Sequence, residues 1–365
     1  MLPEPHTDLD TVIVGGGQAG LALAHHLRRA GQRFAVLDAH PRVGDAWRRR
    51  WDSLALFTPN RFNALPGLPF PGDPDDHPTK DQVADYLEDY AAQFDLPVCL
   101  DSPVTSVRPG PAAGFVVATP HRQYTARQVV VATGAFHTPR VPRFAGRLTP
   151  AVVQLHSSRY RNPAQVPDGH VVVVGAGNTG VQIAEELAAH GRRVALSVAT
   201  IGPVLPQRWL GQDIFWWFSR LGTMALSPDN PLGRRIRAQN PIIGTDVRRL
   251  LRQVERLDRV TGATGRSLVL AGGTSRQVDA VVWATGFRPH YPWLEVPVLD
   301  GSGAPVHRHG VTDWPGLYFL GLPWQRTRGS AVLGWVGRDA AALAKRILTA
   351  APARITAPVG DPRSR

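Results

Sequence analysis

Residues 171–187, VVVVGAGNTGVQIAEEL, nearly repeat the pattern of residues 12–27, VIVGGGQAGLALAHHL. Each is a β-branched run, a glycine-rich turn and an amphipathic stretch, so each predicts a buried strand, a tight turn and a helix. In such a G-x-G-x-x-G turn the glycines have separate tasks: the tight turn itself, close approach of backbone to a pyrophosphate, and close helix–strand packing. The helix N-terminus adds unpaired N–H groups and the positive end of a dipole. Gly15, Gly17 and Gly20, with Gln18 and Ala19 between them, form the first cradle. Gly175, Gly177 and Gly180, with Asn178 and Thr179, form the second.

The two units differ where a ribose would lie. After the first cradle, the strand Arg33–Leu37 ends at Asp38, where a carboxylate would bind a ribose hydroxyl pair. After the second, the strand over 193–198 runs into Ala199 and Thr200, with no acid. An acid there would repel a 2′-phosphate, so its absence favours NADPH, with NADH as the alternative. Arg208 is the nearest downstream base able to pair with that phosphate. Two cradles suit two dinucleotides, one held permanently and one delivering hydride.

Strands alternating with helices predict an α/β fold with parallel sheets. Helices are expected over 18–29, 80–94 and 178–190, the last closed by Gly191, and further strands over 104–107, 114–118 and 123–132. A proline-punctuated loop fills 57–80. VVVATG (129–134) recurs as AVVWATG (280–286), read as a return to the sheet left near residue 160. The expected architecture is two Rossmann-like dinucleotide-binding domains, the second inserted into the first. Residues 1–160 and 282–350 would form the first domain, 161–281 the second, and 351–365 a flexible tail.

Composition removes other classes. The net charge of +12 is almost all arginine, since Lys80 and Lys345 are the only lysines. The arginines are scattered, clustering only at 48–50 and 234–237, without any nucleic-acid-binding motif, so no nucleic-acid partner is expected. No apolar run reaches membrane-spanning length and MLPEPHTDLD lacks a signal-peptide pattern, so a cytoplasmic protein without an integral membrane segment is expected. A lone cysteine, Cys99, excludes an internal disulfide and a CxxC pair, and reads as a small core residue. His77, His121, His137, His307 and His309 show no metal-ligand spacing, and no metal is expected. WLGQDIFWWF (209–218) reads as an aromatic packing helix, with a channel lining or a membrane-touching surface as the competing readings.

The stretches VGDAWRRRWDSLALFTPNRFNALPGLPFPGD (43–73) and HPTKDQVADYLEDYAAQFDLPV (77–98) are more specific. With HSSRY (156–160), LPQRWLG (205–211), ATGFRPHYPWL (284–294), GLYFLGLP (316–323) and the two turns, they resemble the class B flavoprotein monooxygenases over about residues 10–345. The resemblance implies FAD on the first unit and NADPH on the inserted one. It implies that Gly15, Gly17, Gly20 and Asp38 hold the ADP part of FAD, and that Gly44, Asp45 and Trp47 lie against the flavin side. Thr133 and Gly134 would close on FAD, Gly321 would approach it near the last helix, and Gly175 to Gly180 would cradle the NADPH pyrophosphate. The chain departs from the family pattern at Pro150 and Val152, where Phe and Gly are usual. It departs again at Phe57, where many oxygenating relatives carry a polar Asn or His, and at Ala199, where relatives often have Arg.

The chemistry so implied is reduction of FAD by NADPH, formation of a flavin C4a-hydroperoxide with O2, and oxygen transfer to a small organic substrate at sulfur, nitrogen or a carbonyl. Phe57, Asn60 and His156 are the candidate catalytic residues. Competing readings are turn formation for Asn60 and Asn63, and a linker hydrogen bond for His156. A reductase or dehydrogenase that transfers no oxygen is the alternative on the same scaffold, and an inactive nucleotide-binding protein is a third. A homodimer is compatible with the sequence.

Overall fold

The computed structural model describes residues 7–110, 114–200, 202–239, 241–244 and 246–350; the expected tail 351–365 lies outside these. Strand β1 (Thr7–Val14) enters the first glycine turn and α1 (Gln18–Arg29) leaves it, ending at Gly31 in the left-handed region (φ +68°). β2 (Phe34–Leu37) follows in parallel, and α2 (Lys80–Gln93) starts on a capping box. In that box the Thr79 hydroxyl accepts from Gln82 N–H, while the Gln82 side chain accepts from Thr79 N–H. β3 (Val98–Cys99), β4 (Ser106–Pro109), β5 (Phe115–Ala118) and β6 (Gln123–Val131) complete the first half of the chain.

The next strands are β7 (Val153–His156), β8 (His170–Val174), β9 (Arg193–Ser197), β10 (Glu255–Leu257) and β11 (Ala280–Trp283). Helices α3 (Asn178–Ala189) and α4 (Ile214–Arg220) lie among them. Strand β12 (Leu317–Phe319) and α5 (Leu333–Thr349) close the described chain.

Two sheets result. The first runs β3-β2-β1-β6-β5-β4, with β12 parallel to β6; the hairpin arms β4 and β5 are its antiparallel part. The second, β10-β9-β8-β11-β7, is parallel throughout. Its central strands VVVV and AVVW are buried to the last residue, as a sheet covered on both faces requires. The α/β class and the two Rossmann-like units expected from sequence are thus the observed architecture.

One strand assignment is corrected. The strand 280–283 does not return to the first sheet; β11 pairs with β8 on one side and β7 on the other. β11 is to β8 what β6 is to β1, so AVVWATG is the second unit's own copy of VVVATG. The first sheet instead regains the chain through β12, paired to β6. β7, placed by sequence within the first unit, is likewise an edge of the second sheet.

Helices α1, α2 and α5 pack on one face of the first sheet through Leu21, Leu23, Leu87, Val336 and Leu343, while Tyr291, Leu294 and Val296 cover the other. The second sheet is covered by α3 and by the antiparallel strands Val260–Thr264, Ser267–Leu270 and Ser275–Gln277. A further cluster bridges the halves: Phe215, Phe218 and Ile243 from the middle of the chain, Trp335 from α5, and the partly buried Phe57 and Phe62.

Candidate active site between two dinucleotide cradles

The two cradles are built alike, atom for atom. A Cβ on Gly20 would lie 2.0 Å from the Gly15 carbonyl oxygen, and one on Gly180 would lie 1.9 Å from that of Gly175. A Cβ on Gly15 would lie 2.7 Å from the Ala132 carbonyl oxygen, and one on Gly175 would lie 2.4 Å from that of Ala284. So each helix is drawn against its own turn, and each turn against the end of its neighbouring strand (β6 or β11). The middle glycines behave oppositely: a Cβ on Gly17 or Gly177 would meet nothing within 4 Å. Both helices begin without a side-chain cap and without an acid in the first turn. Uncapped amides facing open space are what a pyrophosphate needs, so the residues present fit a dinucleotide at each cradle.

At the first cradle Asp38 accepts from Gly16 N–H (2.6 Å) and from His40 N–H (2.8 Å), with His40 Nδ1 also 2.8 Å away. Burial alone would raise this carboxyl, but hydrogen bonds from His40 and Gly16 outweigh it and hold Asp38 below its ordinary value. It is therefore a fixed anion at the end of β2. A crevice beside it is lined by Gly17, Asp38, Gly44, Asp45 and Trp47, which gathers five of the sequence-expected cofactor residues, and by Gly16, His40 and Arg42, which sequence reasoning missed.

The other expected residues sit nearby in structural roles that the sequence leaves unread. Gln18 spends its whole amide inside the protein, donating to the Ala331 carbonyl and accepting from Trp47 Nε1, each at 3.1 Å. It ties α1, the start of α5 and the Trp47 turn together. Gly321 lies against buried Ala19, where a Cβ would come within 2.7 Å of that methyl. Gly44 packs on the Ala84 backbone of α2, and Asp45 pairs with Arg48 at 3.5 Å. The turn at Thr133 and Gly134 touches Gly15, and Thr133 Oγ1 lies 3.1 Å from His137 Nε2.

At the second cradle Asn178 Oδ1 accepts the Ile243 N–H at 2.9 Å, and Thr179 follows it half-exposed in the first turn of α3. Arg208 is elsewhere: it stands exposed on the hairpin Arg208–Trp209/Gln212–Asp213, its guanidinium donating to the Gly211 carbonyl. His156, at the end of β7, is 6% exposed. Its Nε2 lies 3.0 Å from the Gly286 carbonyl and its Nδ1 accepts from Ser158 N–H. That arrangement assigns the hydrogen to Nε2, and burial lowers the ring's pKa. His156 thus braces the second ATG turn. Half-buried Arg50 lies over the Phe136 ring at 5.2 Å, its charge disfavoured by burial and by Arg161.

Asn60 is buried, donates to the Asp73 carbonyl at 2.8 Å, and leaves Oδ1 without a partner among the described residues. Asn63 is fully buried and closes its own turn on Thr58. Phe57 stacks on Phe215 with ring centroids 5.5 Å apart. The stretch 209–218 is an exposed hairpin followed by α4, not one helix. Cys99 is a half-buried free thiol in an edge strand. Among the described residues, no cluster of three or more His, Cys, Asp or Glu could hold a metal, and no helix is long and apolar enough to cross a membrane.

The family profile described as pyridine nucleotide-disulphide oxidoreductase matches residues 12–203. An uncharacterised CzcO-like oxidoreductase of Geobacillus kaustophilus is 45% identical over 93% of this chain and 98% of its own length. The indole-3-pyruvate monooxygenase YUCCA1 of Oryza sativa subsp. japonica is 30% identical over 88% of each chain. The flavin-containing monooxygenase of Stenotrophomonas maltophilia superposes with a TM-score of 0.80 at 28% identity, over 94% of this chain and 98% of that one. The chain belongs to the pyridine nucleotide-disulphide oxidoreductase family and to the class B flavoprotein monooxygenases: it is a flavin-dependent NAD(P)H monooxygenase, with FAD and a nicotinamide dinucleotide as cofactors. Its substrates are therefore O2 and a small molecule.

Proposed function

We propose that the enzyme oxygenates a small organic substrate at sulfur, nitrogen or a carbonyl by the flavin hydroperoxide route. FAD would lie on the first cradle and NADPH on the second. The single observation that carries this reading is the matched pair of open, uncapped cradles, Gly15–Gly20 with Asp38 and Gly175–Gly180 without an equivalent acid. When bound, FAD supplies hydride uptake from NADPH and activation of O2 for transfer of one oxygen atom to substrate.

The chain's residues do the rest. Gly17 and Gly177 leave room for the pyrophosphates, and Asp38 holds the ADP ribose of FAD. Gly44, Asp45, Trp47, Thr133, Gly134 and Gly321 surround the flavin half. The aromatic cluster of Phe57, Phe62, Phe215 and Trp335 keeps water from the reacting edge. Asn60 Oδ1, buried and without a partner among the described residues, offers an acceptor to a donor on a bound group. His156 acts through the second ATG turn rather than on substrate. Arg208 would serve as the 2′-phosphate partner by releasing the Gly211 carbonyl of its own hairpin and turning its guanidinium towards a nucleotide on the second cradle.

The unit bearing the second cradle, 161–281 with β7 at its edge, is read as the NADPH domain, and the flanking segments 1–160 and 282–350 as the FAD domain. We read the protein as cytoplasmic and as compatible with a homodimer. The test is a panel of thioethers, amines and ketones turned over with NADPH under ¹⁸O2. One labelled oxygen in the product, at a rate matched to NADPH use, supports the reading. NADPH oxidation with no labelled product from any of them favours the reductase alternative.

A further inference from the structure

His77 of the first unit's loop meets Gln207 and Asp213 of the segment Val204–Arg220, more than a hundred residues away in sequence. The Gln207 amide nitrogen lies 2.6 Å from Asp213 Oδ2 and 2.9 Å from the Phe57 carbonyl oxygen, which uses both of its hydrogens. His77 Nε2 lies 3.1 Å from that nitrogen and 3.3 Å from Asp213 Oδ2. Facing an amide with no acceptor to offer, His77 Nε2 must itself carry a hydrogen, and it donates to the carboxylate. Burial alone would raise the Asp213 carboxyl, but His77, Gln207 and the Phe215 N–H outweigh it and keep it ionised below its ordinary value. Next to it Phe215 stacks on Phe57. The segment is therefore fastened to the first unit's loop by three contacts: His77 donating to the Asp213 carboxylate, the Gln207 amide donating to the Phe57 carbonyl, and the Phe57–Phe215 stack.

The other end of the same segment is fastened to the second cradle. Val204–Leu205 pairs in parallel with Ile242–Ile243, and the Ile243 N–H donates to Asn178, the first residue of α3. A pyrophosphate arriving at the amides of α3 would bear directly on the residue that holds this foot.

We propose that Val204–Arg220 is a strap that carries the state of the NADPH cradle to the Phe57 edge of the flavin site, with His77, Gln207 and Asp213 as the latch that holds it down. This rests on the assignment of NADPH to the second cradle. These are positioning residues: they fix the Phe57 carbonyl and the Phe57–Phe215 stack, and so the exclusion of water from the site. Nucleotide favours the latched state only to the extent that it binds that state better, through Asn178 and Ile243.

Arg208 and Arg220 are exposed on the strap, so trypsin reports its opening in the FAD-loaded enzyme. Asp213→Asn keeps the cap on α4 but puts an amide hydrogen against two donors. Loss of a hydrogen bond to a charged group corresponds to about tenfold or more, so nicking at these arginines should accelerate about tenfold at unchanged flavin content. His77→Leu should do the same, while His77→Gln, which keeps a donor, should stay within about twofold of wild type. NADP+ should slow nicking several-fold in wild type and not in Asp213→Asn. Both latch-breaking variants should release more hydrogen peroxide per NADPH consumed.

Nicking of Asp213→Asn and His77→Leu at the wild-type rate overturns the latch. NADP+ that binds, as read by quenching of tryptophan fluorescence, without protecting the strap overturns the coupling and leaves the cradle assignment standing. NADP+ that does not bind at all overturns the cradle assignment and the coupling together.

Discussion

Gly20→Ala and Gly180→Ala make a paired test of the two cradles. Ordinary contact begins near 3.4 Å, so a methyl on Gly20, only 2.0 Å from the Gly15 carbonyl oxygen, is about 1.4 Å too close. Neither partner can yield easily. Gly15 is pinned by its N–H to the Leu37 carbonyl, and α1 is wedged by Leu21, Leu23 and Leu27, all 0% exposed. Overpacking of this kind costs about 1–3 kcal/mol, and the helix must also back away from the pyrophosphate it is meant to hold. FAD affinity should fall about fivefold at the lower end of that range and about 150-fold at the upper end. Gly180→Ala imposes the same clash at 1.9 Å on α3 and should weaken NADPH comparably while leaving FAD in place. The assay is the flavin-to-protein absorbance ratio after gel filtration, followed by titration with NADP+. Loss of FAD in Gly180→Ala with retention in Gly20→Ala, in folded proteins, would refute the assignment of cofactor to cradle.

Asp38→Asn should weaken FAD about tenfold or more, because hydrogen bonds to a charged group are worth about 1.5–3 kcal/mol; calorimetric titration of apoprotein with FAD reads it. His156, like His25, His26, His137 and His307, has its pKa lowered by burial, so the unfolded state takes up protons that the folded state refuses. Stability should therefore be fully present above about pH 6.5 and decline as pH falls below it, and His156→Gln should flatten part of that decline in melts from pH 7 to 5. Phe57→Asn removes the Phe57–Phe215 stack that helps to exclude water, so the substrate-free release of peroxide should rise; an unchanged peroxide rate in the flavin-loaded variant would show that position 57 does not govern the leak.

Much of this site is local in sequence and was readable there. The strand–turn–helix of each cradle and Asp38 at the end of β2 follow from glycine geometry and strand burial, and helix α2 lies where the pattern over 80–94 put it. What failed to show was pairing. AVVWATG carries the same local pattern whichever sheet it joins, and only its hydrogen bonds to β8 and β7 decide that it closes the second unit. The meeting of His77 with Gln207 and Asp213 spans more than a hundred residues, with no spacing to betray it. His40 was equally silent, because its bond to Asp38 depends on the shape of the turn after β2 rather than on a motif. Asn178 shows a mixed case: its place at the mouth of α3 was readable, and its hold on Ile243 was not.

The central claim is oxygen activation on FAD reduced by NADPH bound at the second cradle. Its most direct test is to reduce the enzyme with NADPH in the absence of air, mix it rapidly with O2, and follow the flavin spectrum. An oxygenated flavin species that forms before oxidised FAD returns, and that lives longer with NADP+ present than without it, is the expected result. Direct, single-step return of oxidised FAD, indifferent to NADP+, would contradict it.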